Sequence, residues 1–301
     1  MRDFKYRALA KSPLPEWGWE LKDFQSECLR KAADTFTWNL LRTTNFVLMP
    51  AYIALEATKE QMWRSEVKAL GITDDDAWDA KMRELAEGWA NLSKEKFREL
   101  LDKAGIDFIE AHLSSSNGIA LGVDAVFTSV VVESWTAFET LAAELWATAL
   151  DNDKSCNLAN QVESSGQLRP GKKKNTRAFY NFQSHPGSYW IEKERAVFQS
   201  LQEIRRLYVA AFGSDAQKLF DETEDGYISV LSTVRNVLIH KRGRADLKFC
   251  TAVEDFPEFN GIKEHDLVLL NGEQVKKMRD AAMNLGRKLI QLADAALQTK
   301  P

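Results

Sequence analysis

The chain is short of the residues that most often advertise chemistry, with three cysteines and four histidines in 301 residues. Cys28, Cys156 and Cys250 are odd in number and far apart, which argues against a disulfide framework and against a CxxC metal knuckle. Three reduced thiols are expected. Long apolar runs are also missing: the most apolar stretch, FVLMPAYIAL at residues 46–55, falls well short of the ~20 residues of a membrane-spanning helix and contains Pro50. The first twenty residues carry charges and prolines where an export signal would place its apolar core, so a cytoplasmic location is expected. There is no excess of positive charge either. A net charge of −4 and a pI near 5.8 mean that any nucleic-acid partner has to be held by a local basic patch. GxGxxG, GxxxxGK[ST], HExxH and GxSxG are all absent, which removes sequence support for dinucleotide binding, P-loop hydrolysis, zinc proteolysis and esterase chemistry. No internal repeat or low-complexity tract interrupts the chain.

What remains is an ordinary globular composition, 45% hydrophobic and 28% charged, in a chain long enough for two domains. The small polar cluster SSSNG at residues 114–118 marks the expected boundary, between an N-terminal helical region (1–115) and a helical bundle (119–301). In the first region, residues 20–70 read as long helix that Pro50 is expected to kink or break. Thr73 is expected to cap a second helix, with Asp74 to Asp76 in its first turn.

Beyond the boundary, apolar residues recur at helical spacing four times. Val131, Trp135, Phe138, Ala142 and Leu145 mark the first helix; Val197, Leu201, Ile204 and Tyr208 the second; Tyr227, Val230, Leu231, Val234 and Leu238 the third. The fourth is the most regular, from Val275 through Met278, Ala282, Leu285, Leu289 and Leu292 to Ala296, and Asn271 with Gln274 forms a capping-box pattern at its start. LKFCTAV and HDLVLL, between the third and fourth helices, look like a small strand-like insertion. The expected fold is therefore all-α, with four helices packed as a bundle.

The residues most suggestive of chemistry lie in VRNVLIHKRGRAD, 234–246. Basic residues in a last turn complement the helix dipole, and Gly243 suits a C-cap, so Lys241, Arg242 and Arg244 have a structural explanation. Arg235 and Asn236 do not, because they interrupt the apolar pattern a full turn earlier. Asn236 and His240 are four apart and share a face, whereas Arg235 and His240 diverge by roughly 140°. Arg235 and His240 can meet on one phosphate only at a helix end or across a subunit interface. The other histidines, His112, His185 and His265, read as structural.

RNVLIH resembles the Arg-x4-6-His signature of the HEPN superfamily, with its common polar residue after the arginine. VVVESWTAFETLAAELW, residues 130–146, is similar to that superfamily's first helix, in which a Phe-Glu pair such as Phe138 and Glu139 often occurs. The resemblance covers roughly residues 120–300. It implies a dimeric four-helix bundle that cleaves RNA without a metal or other cofactor, often as a toxin or defence factor opposed by an antitoxin or regulatory protein. It also implies roles. His240 would exchange a proton with the 2′-OH or the leaving 5′ oxygen, Arg235 would hold the phosphate, and Asn236 would orient one or the other. A second histidine would come from the second copy. Glu139 is either an ordinary helix-surface residue or an anchor for Arg235 or His240. The loop bearing Arg169, Lys172, Lys173, Lys174 and Arg177, with Phe179, Tyr180 and Tyr189, is either an RNA-binding element or a solvated loop whose aromatics tuck against the bundle. Lys241, Arg242 and Arg244 form the other basic patch. Members of the superfamily without activity leave two alternatives, a non-catalytic RNA- or protein-binding module and a structural helical adaptor.

Overall fold

The computed structural model describes residues 24–91, 93, 96, 117–155, 157–166, 184–193, 198–223 and 226–298. The described elements are helical: α1 (Arg30–Ala69), α2 (Asp75–Ala90), α3 (Asn117–Asn152), α4 (Asn157–Ser164), α5 (Pro186–Lys193), α6 (Leu201–Asp221), α7 (Tyr227–His240), α8 (Leu247–Ala252) and α9 (Gly272–Gln298), with short 3-10 turns at Glu27–Leu29 and Pro257–Phe259. Among the described residues no helix is long and apolar enough to cross a membrane. The all-α expectation holds.

Contacts gather into two compact units, residues 1–19 with 44–123, and residues 20–43 with 124–301. The first 115 residues are therefore not a block of their own, because residues 24–43 belong with the later helices. Asp294 of α9 accepts hydrogen bonds from the backbone N–H groups of Gln25 (3.0 Å) and Ser26 (2.7 Å). Gly286 of α9 lies so close to Phe36 of α1 that a Cβ there would fall 2.6 Å from the ring. Of the expected linker, Ser114 to Ser116 lie outside the described residues, and Asn117 and Gly118 open α3.

In the first unit, the expected break at Pro50 is absent, since α1 runs through it. Proline removes one helical hydrogen bond and adds a ring clash, a local loss that long helical flanks contain. The cap of α2 falls one residue later than Thr73: Asp74 accepts from the N–H of Ala77 at 2.9 Å, with Asp75 and Asp76 in the first turn. Its carboxylate satisfies an orphan donor and places a negative charge at the positive end of the helix. Trp63 of α1 meets Trp89 of α2 edge to face, 5.9 Å between centroids.

In the second unit, α9 packs on α7 and α6, α4 on α6, and α8 on α7. Most of the apolar stripes are buried, among them Trp135, Phe138 and Leu145 of α3, Ile204 and Tyr208 of α6, Val230 and Val234 of α7, and Met278, Ala282 and Leu289 of α9, whereas Leu201, Tyr227, Leu238, Leu292 and Ala296 are only partly buried and Val197 lies outside the described residues. Two aromatic polar atoms in the core have partners, as the Trp146 Nε1–H donates to Leu207 O (3.1 Å) and the Tyr208 hydroxyl to Ala142 O (2.8 Å). The capping box is present, with the Gln274 N–H on Asn271 Oδ1 (2.9 Å) and the Asn271 N–H on Gln274 Oε1 (2.8 Å).

Two features depart from the expected pattern. LKFCTA forms α8, capped by Asp246, and HDLVLL contributes a single antiparallel bridge between Arg244 and Leu267, so no strand exists among the described residues. A short apolar run is ambiguous between helix and strand, and here the Asp246 cap decides it. The second departure is in α6. Arg205 and Asp221, which would lie ~24 Å apart on a straight helix, are hydrogen-bonded at 2.5 Å, and the rings of Tyr208 and Phe220 are 6.1 Å apart. The helix folds back on itself at Gly213, whose φ of 62° and ψ of −136° match the first central residue of a type II′ turn. Only glycine adopts that geometry without strain.

Gly213→Ala should therefore destabilise the protein by about 1–3 kcal/mol, measured by urea denaturation. A second prediction concerns acid. Hydrogen bonds from Lys277 and from Tyr227 (2.5 Å) hold the Glu258 carboxyl down to about 2, against an ordinary 4.5. A depressed carboxylate adds stability that is complete above the unfolded value and is lost as pH falls through the folded one. The chain should lose stability between pH 4.5 and 2, and Glu258→Gln should flatten the dependence in acid-unfolding curves over that window.

Candidate functional site

α7 is a helix with two faces. Ile228, Val230, Leu231, Val234 and Val237 turn into the core. Ser229, Ser232, Thr233, Asn236 and His240, spaced three and four apart, line an open groove of about 1180 Å3 against the first arm of α6. Serine, threonine and asparagine are mediocre helix formers, so a stripe of them in mid-helix is a surface that stays small and polar at a cost in helicity. The rest of the lining includes Arg205, Arg206, Lys241, Asp246 and Lys248.

The structure separates the residues singled out from the sequence. Asn236 and His240 share the groove, together with Lys241. His240 is exposed, and neither of its ring nitrogens has a partner among the described residues. Arg235 does not line the groove, as its 140° divergence from His240 requires. Within one protomer the groove therefore brings Asn236 and His240 together without Arg235. Its Nη1 donates to Asn236 Oδ1 at 3.0 Å, and its Nε is buried without a partner.

Glu139 of α3 faces Arg235 and not His240. Its Oε2 accepts from the Trp135 Nε1–H at 3.0 Å, and the charge of Arg235 acts on it although the two form no ion pair within 4 Å. Burial pushes the Glu139 carboxyl up, and the attraction of Arg235 and the bond from Trp135 offset this only in part. The desolvation of a half-buried carboxylate outweighs an opposite charge that is near but not touching. Glu139 thus lies within the field of Arg235 without a hydrogen bond or ion pair to it.

The basic tail is a helix end. Arg242 (φ 55°) and Gly243 (φ 73°) both take left-handed backbone, and the Gly243 N–H closes on Val237 O at 3.1 Å. The left-handed C-terminal residue is thus Arg242 as well as the expected glycine, at a cost of roughly 1–2 kcal/mol for a non-glycine residue. Arg244 donates to His265 O at 2.9 Å, and Lys241 stands 3.8 Å from Asp246. Neither Arg242 nor Arg244 lines the groove. Lys172, Lys173, Lys174, Arg169, Arg177, Phe179 and Tyr180 lie outside the described residues, as do His112 and Cys156. Tyr189 tucks against the bundle, buried in α5. Cys28 and Cys250 are free thiols. Among the described residues no three of His, Cys, Asp and Glu gather as a metal-binding group.

Sequence reasoning missed the α6 wall, Arg205 and Arg206, and Lys248 at the far end. The polar stripe of α7 was the available signal, because its period repeats that of the apolar stripe on the opposite face.

Glu139→Ala would strip the Trp135 N–H of its acceptor and Arg235 of its counter-charge, and should cost about 1–3 kcal/mol in chemical denaturation; Glu139→Gln, which keeps an acceptor, should cost less. No family model matches the chain, and no curated protein or solved structure matches it.

Proposed function

We propose that the chain is a metal-independent endoribonuclease of the HEPN type, acting as a homodimer on RNA bound in the α6–α7 groove. The observation that carries this reading is that Asn236 and an exposed His240 both line an open groove whose lining also includes the cations Arg205, Arg206, Lys241 and Lys248. An imidazole at such a place can accept the proton of a ribose 2′-OH. The 2′ oxygen then attacks the adjacent phosphorus, the bond to the 5′ oxygen breaks, and that oxygen takes a proton from a second imidazole. The products are a 2′,3′-cyclic phosphate and a 5′-OH. One histidine cannot be base and acid in the same step, so the second His240 comes from a second copy through an isologous contact. Arg235, bonded to Asn236, orients its amide. The wider setting implied by the resemblance, a cytoplasmic toxin or defence ribonuclease opposed by an antitoxin or regulatory protein, belongs to the same proposal.

A second reading, a non-catalytic RNA- or protein-binding module or a structural adaptor, is favoured by one observation. Arg235 directs its Nη1 to Asn236 and its charge towards Glu139, both within the protomer.

End-labelled single-stranded RNA incubated with the chain in excess EDTA should be cut to cyclic-phosphate ends. His240→Ala should slow cleavage about 10²-fold or more, and size-exclusion chromatography at micromolar concentration should show a dimer. No cleavage by the unmodified chain, or equal cleavage by the variant, would leave the second reading.

A further inference from the structure

We propose that Arg205 and Arg206 of α6, with Lys248 at the start of α8, form the phosphate-binding wall of the groove, and that Glu203 and Asp221 hold the two arginines in place until RNA displaces them. This inference rests on the ribonuclease reading and goes beyond it in naming what holds the substrate once Arg235 is seen to lie off the groove.

The open, extended course of the groove suits a polymer. It follows α7 from Ser229 to Lys241, a rise of ~18 Å. The α7 side of this track, from Ser229 through Val237 to His240, carries no carboxylate, so a phosphate backbone can approach it without meeting like charge.

The charge pattern selects the ligand. Arg205, Arg206, Lys241 and Lys248 line the groove against two acids, Glu203 and Asp246, although the chain as a whole has a net charge of −4. Both acids already face a lining cation: Glu203 is 2.6 Å from Arg206, and Asp246 is 3.8 Å from Lys241. Arg205 is held at 2.5 Å by Asp221, which is outside the lining, and Lys248 has no ion-pair partner among the described residues. The pairs are only partly exposed, with side-chain exposures of 23% and 52% for Arg205 and Asp221 and of 30% and 41% for Arg206 and Glu203. A guanidinium forms charge-assisted, often bidentate bonds to a phosphate as it does to a carboxylate, so a phosphate can take the carboxylate's place. The basic tail is excluded from this part by geometry, since Arg244 is bonded to His265 O and Arg242 lies at the turn beyond the helix.

The test uses fluorescence anisotropy of a short 5′-fluorescein-labelled oligouridylate with the full chain carrying His240→Ala, which slows turnover. Arg206→Gln and Lys248→Ala should each weaken binding about three- to tenfold and reduce the salt slope by about 1. Glu203→Gln, which releases Arg206, should tighten it. Arg206→Lys, with unchanged thermal unfolding, should keep part of the affinity, and Lys276→Ala on the exposed side of α9 should leave it unaltered. Undiminished binding by the Arg206→Gln, Lys248→Ala double variant overturns the inference, and if the unmodified chain still cleaves RNA the ribonuclease reading survives alone. Groove-dependent binding without cleavage by the unmodified chain supports the wall and overturns the ribonuclease reading. No binding by the parent overturns the wall.

Discussion

A helix whose fifth residue bonds its last has to turn back on itself, and α6 does so at Gly213. The reversal brings Asp221 to Arg205 and lays Phe220 edge-on to Tyr208, which also stacks on Phe212 at 5.4 Å. One backbone position thus assembles an aromatic cluster in the core. The same reversal lets Gln217, Phe220 and Thr223 of the returning arm join the first arm in lining the groove. An unbroken helix of that length would carry those residues away from α7, and the wall would lose one of its ends.

The second organising feature is the division of labour on α7. Its apolar stripe is buried in the core, its small polar stripe is left to the groove, and Arg235 lies off the groove. That position suits neither the core nor free solvent. The bond to Asn236 and the nearby carboxylate of Glu139 make it tolerable, and the Trp135 N–H in turn fixes Glu139. Two hydrogen bonds, Trp135 to Glu139 and Arg235 to Asn236, thus face each other across a gap bridged only by the attraction between the Glu139 and Arg235 charges. The helix end beyond His240 is held by the left-handed pair Arg242 and Gly243 and by the pairing of residues 243–245 with 265–268, which keeps His240 at the mouth.

Much of the fold was legible because burial follows period. The stripes of α3, α7 and α9 point inward as their three- and four-residue spacing requires, and Asn271 and Gln274 cap α9 reciprocally because the donor and acceptor types match. Failures came where a local pattern is ambiguous or a distant contact decides. LKFCTAV has strand-like composition in a run too short for period to discriminate. Pro50 weakens a helix locally without ending it. Gly213 was visible in AAFGSDAQ, but a glycine in a helical pattern reads equally as tolerated or as a corner. Residues 24–43 read as part of an N-terminal region because nothing in their own sequence names Asp294 or Gly286 as partners.

Of the candidate site, the sequence by itself determined that Asn236 and His240 share a face and that Arg235 does not, because helix geometry alone sets those angles. It determined too that the basic residues after His240 close a helix, because glycine and positive charge belong at a C-terminus. Only the tertiary structure decided what stands across from that face. Arg205 and Arg206 precede Asn236 by some thirty residues, and no local spacing relates them to it. They line its groove because α6 turns back at Gly213 and packs in the same core, a matter of long-range burial and one backbone angle.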